Sequence, residues 1–579
     1  MDLSSERSLN DLEPIELESR VEAHLAQLGL RSLPFVAVLL VCGIIAALVG
    51  QPDSGEGSSL AGTSEFGAQF DDGIGGERSS APPQATSSAP PGAPTDETSN
   101  GGGPSVADPA PSAPDGGPSE GGGQTAACAG GDRQVPWTTY SPACLIPFEG
   151  DNGGATAPGV TADTITLVYR RQNTASQAAI SALAGEAVPN DDEYIADLQT
   201  YAALFNQQYE LYGRKIEVVP YQGQSDYLQE DLGNNQSLAQ ADAATARELG
   251  AFIDVTFPSA GSLFYSAALF DEGIIAYGFP LNPDSYYEQN APYAINWVMS
   301  GTGWAKWAAN VVCQRMAGMP ATFAGDPSMH DEQRVFGLVG VEFPTWLEVG
   351  DDIKARVADQ CGVEMAASLT YAENLGTMQQ DAASAVARMR DAGVTTVICF
   401  CDPLMPIFIT QQASDQDYRP EWIFQNQYDA IDQQADQSQF AHAIAPGPAI
   451  RPAQQTEAYA AYKLVDPDGE PKSIYYLAAY ATMLHVVGAV HSAGPDLNPA
   501  TYLRGVFSMP PSLPGGDLGD WRFGPGAFTP VASASVVWWK TDKPSQNGRP
   551  GGWVDCENGV SFPLNDPASW GSGQLECFR

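Results

Sequence analysis

GVTTVICFCDPL, residues 393–404, decides the fold. Gly393 stops a helical stripe over Met378–Ala392, and a run of β-branched and apolar residues, Thr395–Phe400, follows as a strand. Cys401, Asp402 and Pro403 then turn the chain into a second helical stretch, Leu404–Ser414, which leads to the strand Glu421–Phe424. Upstream the same alternation holds: helix Trp304–Ala317, strand Val335–Val341, helix Trp346–Gln360 and strand Val363–Tyr371. Strands that alternate with helices through short turns build parallel sheets from right-handed βαβ units.

The half before Pro280 repeats the pattern. Strand Ile165–Arg170 is followed by a helical stripe over Asp191–Tyr212 that Gly213 ends, then strand Lys215–Pro220 and helix Ser237–Leu249. Strand Ala251–Phe257, helix Gly261–Asp271 and strand Ile274–Tyr277 complete it. An irregular stretch, Pro280–Trp297, separates the two runs, so the spacing predicts two sheets in two lobes. Near the C-terminus a long apolar helix, Ile474–Ala493, carries His485, His491 and several Tyr and Thr, which marks a buried core or interlobe helix and not a membrane span. Ala532–Thr541 reads as hairpin-like.

The N-terminal side is of another kind. Leu33–Gly50 is an uncharged apolar run, and at 1.5 Å per residue it spans about 27 Å, enough for a bilayer core. The segment before it holds Asp11, Glu13, Glu16, Glu18 and Glu22, unlike a basic signal peptide, and no small-residue cleavage site closely follows the run. Val41 before Cys42 does not suit a lipoprotein signal. The run therefore reads as an uncleaved signal anchor, with Arg31 at its inner end and residues 1–32 in the cytoplasm. Pro14–Leu30 carries a helical stripe, either a juxtamembrane helix or a docking helix for a cytoplasmic partner. Residues 51–131 are mostly Gly, Ser, Pro, Ala and Thr, with Phe66 and Phe70 as the aromatics. Such a stretch cannot bury enough apolar area to offset its ordering entropy and is expected to be a disordered tether of about 50 Å r.m.s. span. The remaining residues, 132–579, are enough for two lobes with cores of their own.

Of nine cysteines, Cys42 lies in the membrane run and eight lie beyond it, an even number that fits an oxidising compartment. Eight cysteines allow 105 pairings. The most local set joins Cys128 to Cys144, Cys313 to Cys361, Cys399 to Cys401, and Cys556 to Cys577. A redox or metal role for the Cys399–Cys401 pair is the other reading, but no further ligand spacing surrounds it.

Twenty-seven basic residues face 70 acidic ones, a formal net charge of −43. This balance excludes nucleic acid as a partner, because the surface repels phosphate backbones; it reads as keeping an exported domain soluble, with attraction of cationic solutes as the alternative. Scarce Lys with abundant Ala and Arg looks like the codon bias of a high-GC Gram-positive bacterium. Catalytic patterns are wanting. A Gly-x-Ser-x-Gly match, Gly117–Gly121, falls in the tether with no strand before it, and there is no Walker A, His-Glu-x-x-His or post-strand Gly-x-Gly-x-x-Gly pattern. His330-Asp331-Glu332 reads as a solvated turn, while Asp191-Asp192 and Asp351-Asp352 sit in or near first turns of helices, where they favour the helix dipole. The chain is read as a non-enzyme with no cofactor and no metal.

Several segments resemble the type I periplasmic binding proteins, in their branched-chain amino-acid-binding branch of ABC-transporter receptors. Gly159-Val-Thr-Ala-Asp-Thr-Ile-Thr-Leu167 is similar to the way that family opens, and Pro258-Ser-Ala-Gly-Ser262 to its hydroxyl-rich turn after a first-lobe strand. Phe336-Gly-Leu-Val-Gly-Val341 and the stretch 393–404 look like its second-lobe strand openings. The resemblance covers roughly residues 155–545, and order and spacing carry it more than any single motif. It implies a two-lobed Venus-flytrap of the α/β class with a parallel sheet in each lobe, here preceded by one transmembrane helix and a disordered linker. It also implies a small polar or organic solute held in the interlobe cleft and handed to an ABC permease or another membrane partner. A cell-surface sensor or scaffold without transport is the alternative.

Ligands of open α/β sheets bind beyond the carboxyl ends of strands, near helix N-termini. Ser259 and Ser262 lie at such an end, where they bind a carboxylate together with the backbone at the start of helix Gly261–Asp271, or a Ser here simply caps that helix. Arg170, Arg171 and Gln172 follow the first strand; Glu342, Tyr371, Asp402 and Gln427 follow strands of the second lobe. Tyr277 and Trp297 are candidates for stacking on the solute, or core residues. The family's acidic residue for an α-ammonium group has no clear counterpart, since the chain reads Gln425-Asn-Gln-Tyr-Asp429 there.

Overall fold

The computed structural model describes residues 128, 131–172, 181, 190–225, 227–256, 262–278, 280–425, 429–448, 450–545 and 548–578. Residues 1–32, expected in the cytoplasm, the run Leu33–Gly50, expected as the anchor, nearly all of residues 51–131, expected as the tether, Ser259 and Gln427 lie outside the described residues.

The first sheet is parallel throughout, in the order β2-β1-β3-β4. Its strands are β1 (Thr164–Arg171), β2 (Lys215–Gln222), β3 (Ile253–Asp254) and β4 (Ile275–Ala276). Both faces of β1 are covered: Ile165, Leu167, Val168 and Tyr169 are all buried, the pattern of a strand roofed by helices on two sides. Helix α1 (Asp191–Gln208) starts where Asn190 accepts from the amides of Asp192 and Glu193 and three acids occupy its first turn. It ends four residues earlier than the stripe predicts. Tyr209 turns extended (φ −113°, ψ 149°), which carries its ring into the core. Helices α2 (Gln236–Glu248) and α3 (Leu263–Asp271) complete the βαβ units.

The second sheet runs β11-β10-β9-β8-β7-β5-β6, with β12 paired to β10. Strands β5 (Phe336–Val341), β6 (Ala367–Tyr371), β7 (Thr396–Phe400), β8 (Glu421–Phe424) and β9 (Ala443–Gly447) are mutually parallel. The expectation of a wholly parallel second sheet is corrected by β10 (Ser533–Pro544), which lies antiparallel to both β9 and β11 (Pro550–Asp555). A short turn joins β10 to β11, and only antiparallel strands can be joined so tightly. β12 is Phe562–Pro563. Helices α4 (Gly301–Arg315), α5 (Pro344–Cys361), α6 (Met378–Asp391) and α7 (Met405–Asp415) serve this sheet.

Three helices return to the first lobe: α8 (Glu457–Val465), α9 (Tyr476–Ala493) and α10 (Pro499–Ser508). α9 is the long apolar helix of the sequence, and it is a core helix of the first lobe. α10 crosses it closely at Gly505, where an added Cβ would stand 2.2 Å from the Ala489 carbonyl oxygen. Among the described residues no helix is long and apolar enough to cross a membrane.

Each lobe has its own core, and the chain passes between them on the stretches Ile295–Trp304, Ala445–Ala458 and Trp521–Ala534, with Leu281 reaching into the second core ahead of the first crossing. Arg451, on the middle crossing, pairs with Asp517 at 3.2 Å and donates to the Gly515 carbonyl at 3.0 Å. The segment from Asp132 to Phe148 packs on the first lobe, where the Tyr140 hydroxyl accepts from the Leu518 amide and donates to the Gly519 carbonyl. Disulfides join Cys128 to Cys144, Cys313 to Cys361, Cys399 to Cys401, and Cys556 to Cys577.

Candidate functional site

Parallel strands end together, so β1 and β3 in the first lobe and β5 to β8 in the second each bring a row of side chains to one edge. On the first lobe that edge is built on Arg170, the penultimate residue of β1, whose side chain is fully buried. Its Nη1 donates to Glu230 at 2.7 Å and reaches Asp242 at 3.5 Å, and its guanidinium lies 3.6 Å over the Tyr265 ring. Burial works against the charged guanidinium, yet Glu230 outweighs it and the pKa is raised. Asp242 accepts from the amides of Gln224 and Ser225; Asp254, at the end of β3, accepts from the Thr256 amide and the Tyr265 hydroxyl. Burial raises the pKa of both carboxyls.

Ser262 belongs to this network. Its Oγ accepts from the Tyr265 amide at 2.9 Å, capping α3, and donates to Glu230. In this structure the hydroxyl is taken up by the cap and by Glu230. Arg171 pairs with Asp192 at 2.8 Å on a half-exposed rim.

Two of the aromatic candidates are core residues. Tyr277 is fully buried, its hydroxyl bonded to His485 Nδ1 at 2.6 Å and to the Tyr502 hydroxyl at 2.5 Å, because the residue after β4 turns toward α9 and α10 and away from the strand-end edge. Trp297 lies on the first crossing and donates from Nε1 to Thr482 of α9 at 2.9 Å, packed against the first-lobe core. Glu342 is exposed and accepts from Thr370 at 2.9 Å, so it stays on the solvent side of the β5 end.

On the second lobe the structure does bring Tyr371 and Asp402 together. The Tyr371 hydroxyl donates to Asp402 Oδ2 and accepts from the Asp402 amide at 3.0 Å. Asp402 Oδ1 accepts from the amides of Leu404 and Met405 at 2.7 and 3.2 Å, fixing the start of α7. Burial raises the Asp402 pKa against the opposing hydrogen bonds, and burial together with Asp402 pushes the Tyr371 phenol well up.

Glu373 completes the group and was not singled out from the sequence. It stands two residues beyond the end of β6, is 5% exposed, and makes no hydrogen bond to a described residue. Burial, then Asp402, then Asp231 of the first lobe push its carboxyl well above the usual range. The spacing Tyr371-x-Glu373 was the available signal, since alternate residues of an extended chain share a face. Gln425, just past β8 and 7% exposed, donates from Nε2 to the Cys401 carbonyl beside Asp402, while its Oε1 is buried without a partner among the described residues.

No family model matches the chain, and no curated protein does. Among solved structures it is similar to a fatty acid ABC transporter substrate-binding protein from Thermomonospora curvata, at 16% identity and a TM-score of 0.49 over 72% of this chain and 97% of that one. It is also similar to a leucine-, isoleucine-, valine-, threonine- and alanine-binding protein from Brucella ovis, at 15% identity and a TM-score of 0.49 over 70% and 96%. An ABC transporter substrate-binding protein from Sphaerobacter thermophilus follows at 14% and 0.48, over 70% and 99%. These neighbours are type I periplasmic binding proteins of the ABC-transporter substrate-binding kind, the same kind that the sequence resembles. At such identities and TM-scores no residue role passes from them to this chain.

Proposed function

We propose that this chain is a membrane-anchored extracytoplasmic solute-binding protein that closes its two lobes on a small polar or organic solute, for ABC-type uptake through a permease, and that it is not an enzyme. The observation that carries the reading is the interlobe edge itself. Strand ends of the second lobe bring together the buried polar groups Tyr371, Glu373, Asp402 and Gln425, the Gln425 Oε1 being without a partner among the described residues, and Asp231 of the first lobe acts on Glu373. Concave sites lined by a few convergent polar groups between domains are where small molecules bind. Three chain crossings between the lobes supply the hinge such closure needs.

The same proposal places Leu33–Gly50 as a single-pass anchor with residues 1–32 inside, residues 51–131 as the tether, and residues 132–579 as the binding domain outside a high-GC Gram-positive cell. Four disulfides in the outer part agree with an oxidising location.

Native mass spectrometry of the full chain, extracted from its membrane in mild detergent without refolding, tests this reading. A co-purifying small mass that is lost on mild denaturation is expected. An empty protein whose melting temperature no metabolite in a broad panel moves would refute solute capture and leave the scaffold as the better account.

A further inference from the structure

The residues just ahead of the first crossing form an arm that belongs to one lobe by its helix and to the other by its tip. The short helix Asp284–Gln289 is part of the first lobe: Tyr287 is buried with Ala294 and Phe528, and Phe270 of α3 and Phe507 of α10 pack against that cluster. Leu281, three residues before the helix, is buried in the core of the second lobe. Its backbone is left-handed (φ 59°), a conformation that an apolar side chain adopts only where the surrounding contacts enforce it.

Those contacts cross between the lobes. Gly301, the first residue of α4, donates its amide to the Asn282 carbonyl at 2.9 Å. The Asp284 amide donates to Thr302 Oγ1 at 2.9 Å, and the Ser285 hydroxyl to Glu348 of α5 at 2.7 Å. At Gly301 the approach leaves no room for a side chain: an added Cβ would stand 2.2 Å from the Leu281 carbonyl oxygen and 2.4 Å from Cγ2 of Val349 on α5. The tip of the arm is thus gripped between the starts of α4 and α5.

Its position ties this grip to the hinge. Phe528, in the arm's own cluster, lies on the third crossing, and its carbonyl accepts from the amide of Asn296 on the first at 3.2 Å. When two packed bodies turn about a hinge, contacts on the axis change least, and the residues that absorb the motion sit at the ends of elements. A close-packed contact with no slack resists sliding, so the lobes turn about it.

We infer that Leu281–Ser285, seated on Gly301, Thr302 and Glu348, is the pivot on which the two lobes close, and that it sets their angle before any solute arrives. This rests on the solute-binding reading above and adds to it the place where the lobes turn. A contact that merely packs two elements lowers stability when disturbed and leaves the angle alone; a pivot moves the angle.

The test measures distances in the full chain in detergent, spin-labelled through a non-cysteine handle at two pairs of exposed residues. Gln236 on α2 with Gln380 on α6 reads one lobe against the other, and Glu288 with Asp351 reads across the arm. Between protein that carries its co-purifying solute and protein stripped of it, the first distance is expected to change and the second to stay. An ordinary contact at Gly301 needs 3.4 Å, so Gly301→Ala must push the Leu281 carbonyl back by about 1 Å, and the Gln236–Gln380 distance is expected to shift by more, because it lies farther from the axis. Thr302→Val keeps the shape of the side chain and removes the acceptor of the Asp284 amide. It is expected to broaden the Gln236–Gln380 distribution, and Thr302→Ser to restore it.

A Gly301→Ala protein that melts lower while both distances match the parent would overturn the pivot and reduce the arm to packing. Where Gly301→Ala does not fold, a Thr302→Val distribution like the parent's overturns it in the same way. A solute that moves the Glu288–Asp351 distance as much as the other places the axis elsewhere, and the inference falls. A solute that moves neither distance also sinks it, with solute binding left standing. An empty protein refutes the solute-binding reading, while the distances in the two variants still decide the pivot.

Discussion

Replacing Arg170 by methionine removes the cation from the most buried charge cluster of the first lobe. Methionine keeps most of the apolar stem, so the area withdrawn from water changes little, and the cost is electrostatic. Glu230 loses a partner at 2.7 Å, Asp242 one at 3.5 Å, and Tyr265 a guanidinium over its ring. Breaking a buried pair from one side costs about 3–5 kcal/mol, and a desolvated cation–π contact about 2 kcal/mol more. Proton uptake by the abandoned carboxylates caps the sum, so a loss of about 4 kcal/mol is expected near pH 8. It should shrink toward pH 5, by about 1.4 kcal/mol per unit while one proton is being bound. The assay is urea unfolding followed by circular dichroism at pH 8 and pH 5, on the parent, Arg170→Met, Glu230→Gln and the double variant. Glu230→Gln keeps an acceptor for Ser262 but removes a charge, so the double variant is expected to recover half or more of the single variant's loss. A single-variant loss below about 1 kcal/mol, equal at both pH values, or strict additivity in the double variant, would refute the electrostatic account.

Two further outcomes follow from single side chains. Ser262→Ala should cost about 2 kcal/mol, from the lost cap of α3 and the lost donor to Glu230, while leaving solute affinity unchanged; calorimetry showing a large drop in affinity at unchanged stability would restore the ligand role. His485 is fully buried among Tyr277, Trp521 and Phe523, and burial pushes its pKa down to about 3. Its folded pKa lies below the unfolded value of about 6.5, so its contribution is complete above that pH and is lost as pH falls. Between pH 6.5 and pH 5 the parent should lose about 2 kcal/mol more than His485→Asn, in the same urea titration; equal losses would mean that the ring is charged or solvated in the native state. The buried Asp242, Asp254 and Asp402, with raised pKa values, act in the opposite sense in both proteins and cancel in the difference.

Most of the fold was legible because its signals are local. Glu421–Phe424 is β8 residue for residue, and β7 begins one residue inside the expected Thr395–Phe400. Long amphipathic helices came out within a few residues for the same reason: α6 is Met378–Asp391 against an expected Met378–Ala392. What escaped was short or returned from far away. β9 is Ala-Ile-Ala-Pro-Gly, too short and too poor in branched residues to show a strand period. α10 carries readable marks, with Asn498 as a capping-box residue and Pro499 in its first turn, but a surrounding Pro/Gly-rich region masks them. The antiparallel end of the second sheet depends on the chain coming back from the first lobe near Ser533, and no window of sequence holds both partners.

The site divides along the same line. Tyr371 and Asp402 were legible as strand ends, because the parallel sheet fixes where strand ends point. Ser262 was legible as a hydroxyl before a helix, with capping as one reading, but its bond to Glu230 was not, because Glu230 arrives from 32 residues upstream. Glu373 and Asp231 lie outside the strands, one in a connection and one at the end of a five-residue helix, and acquire meaning only when two lobes face each other.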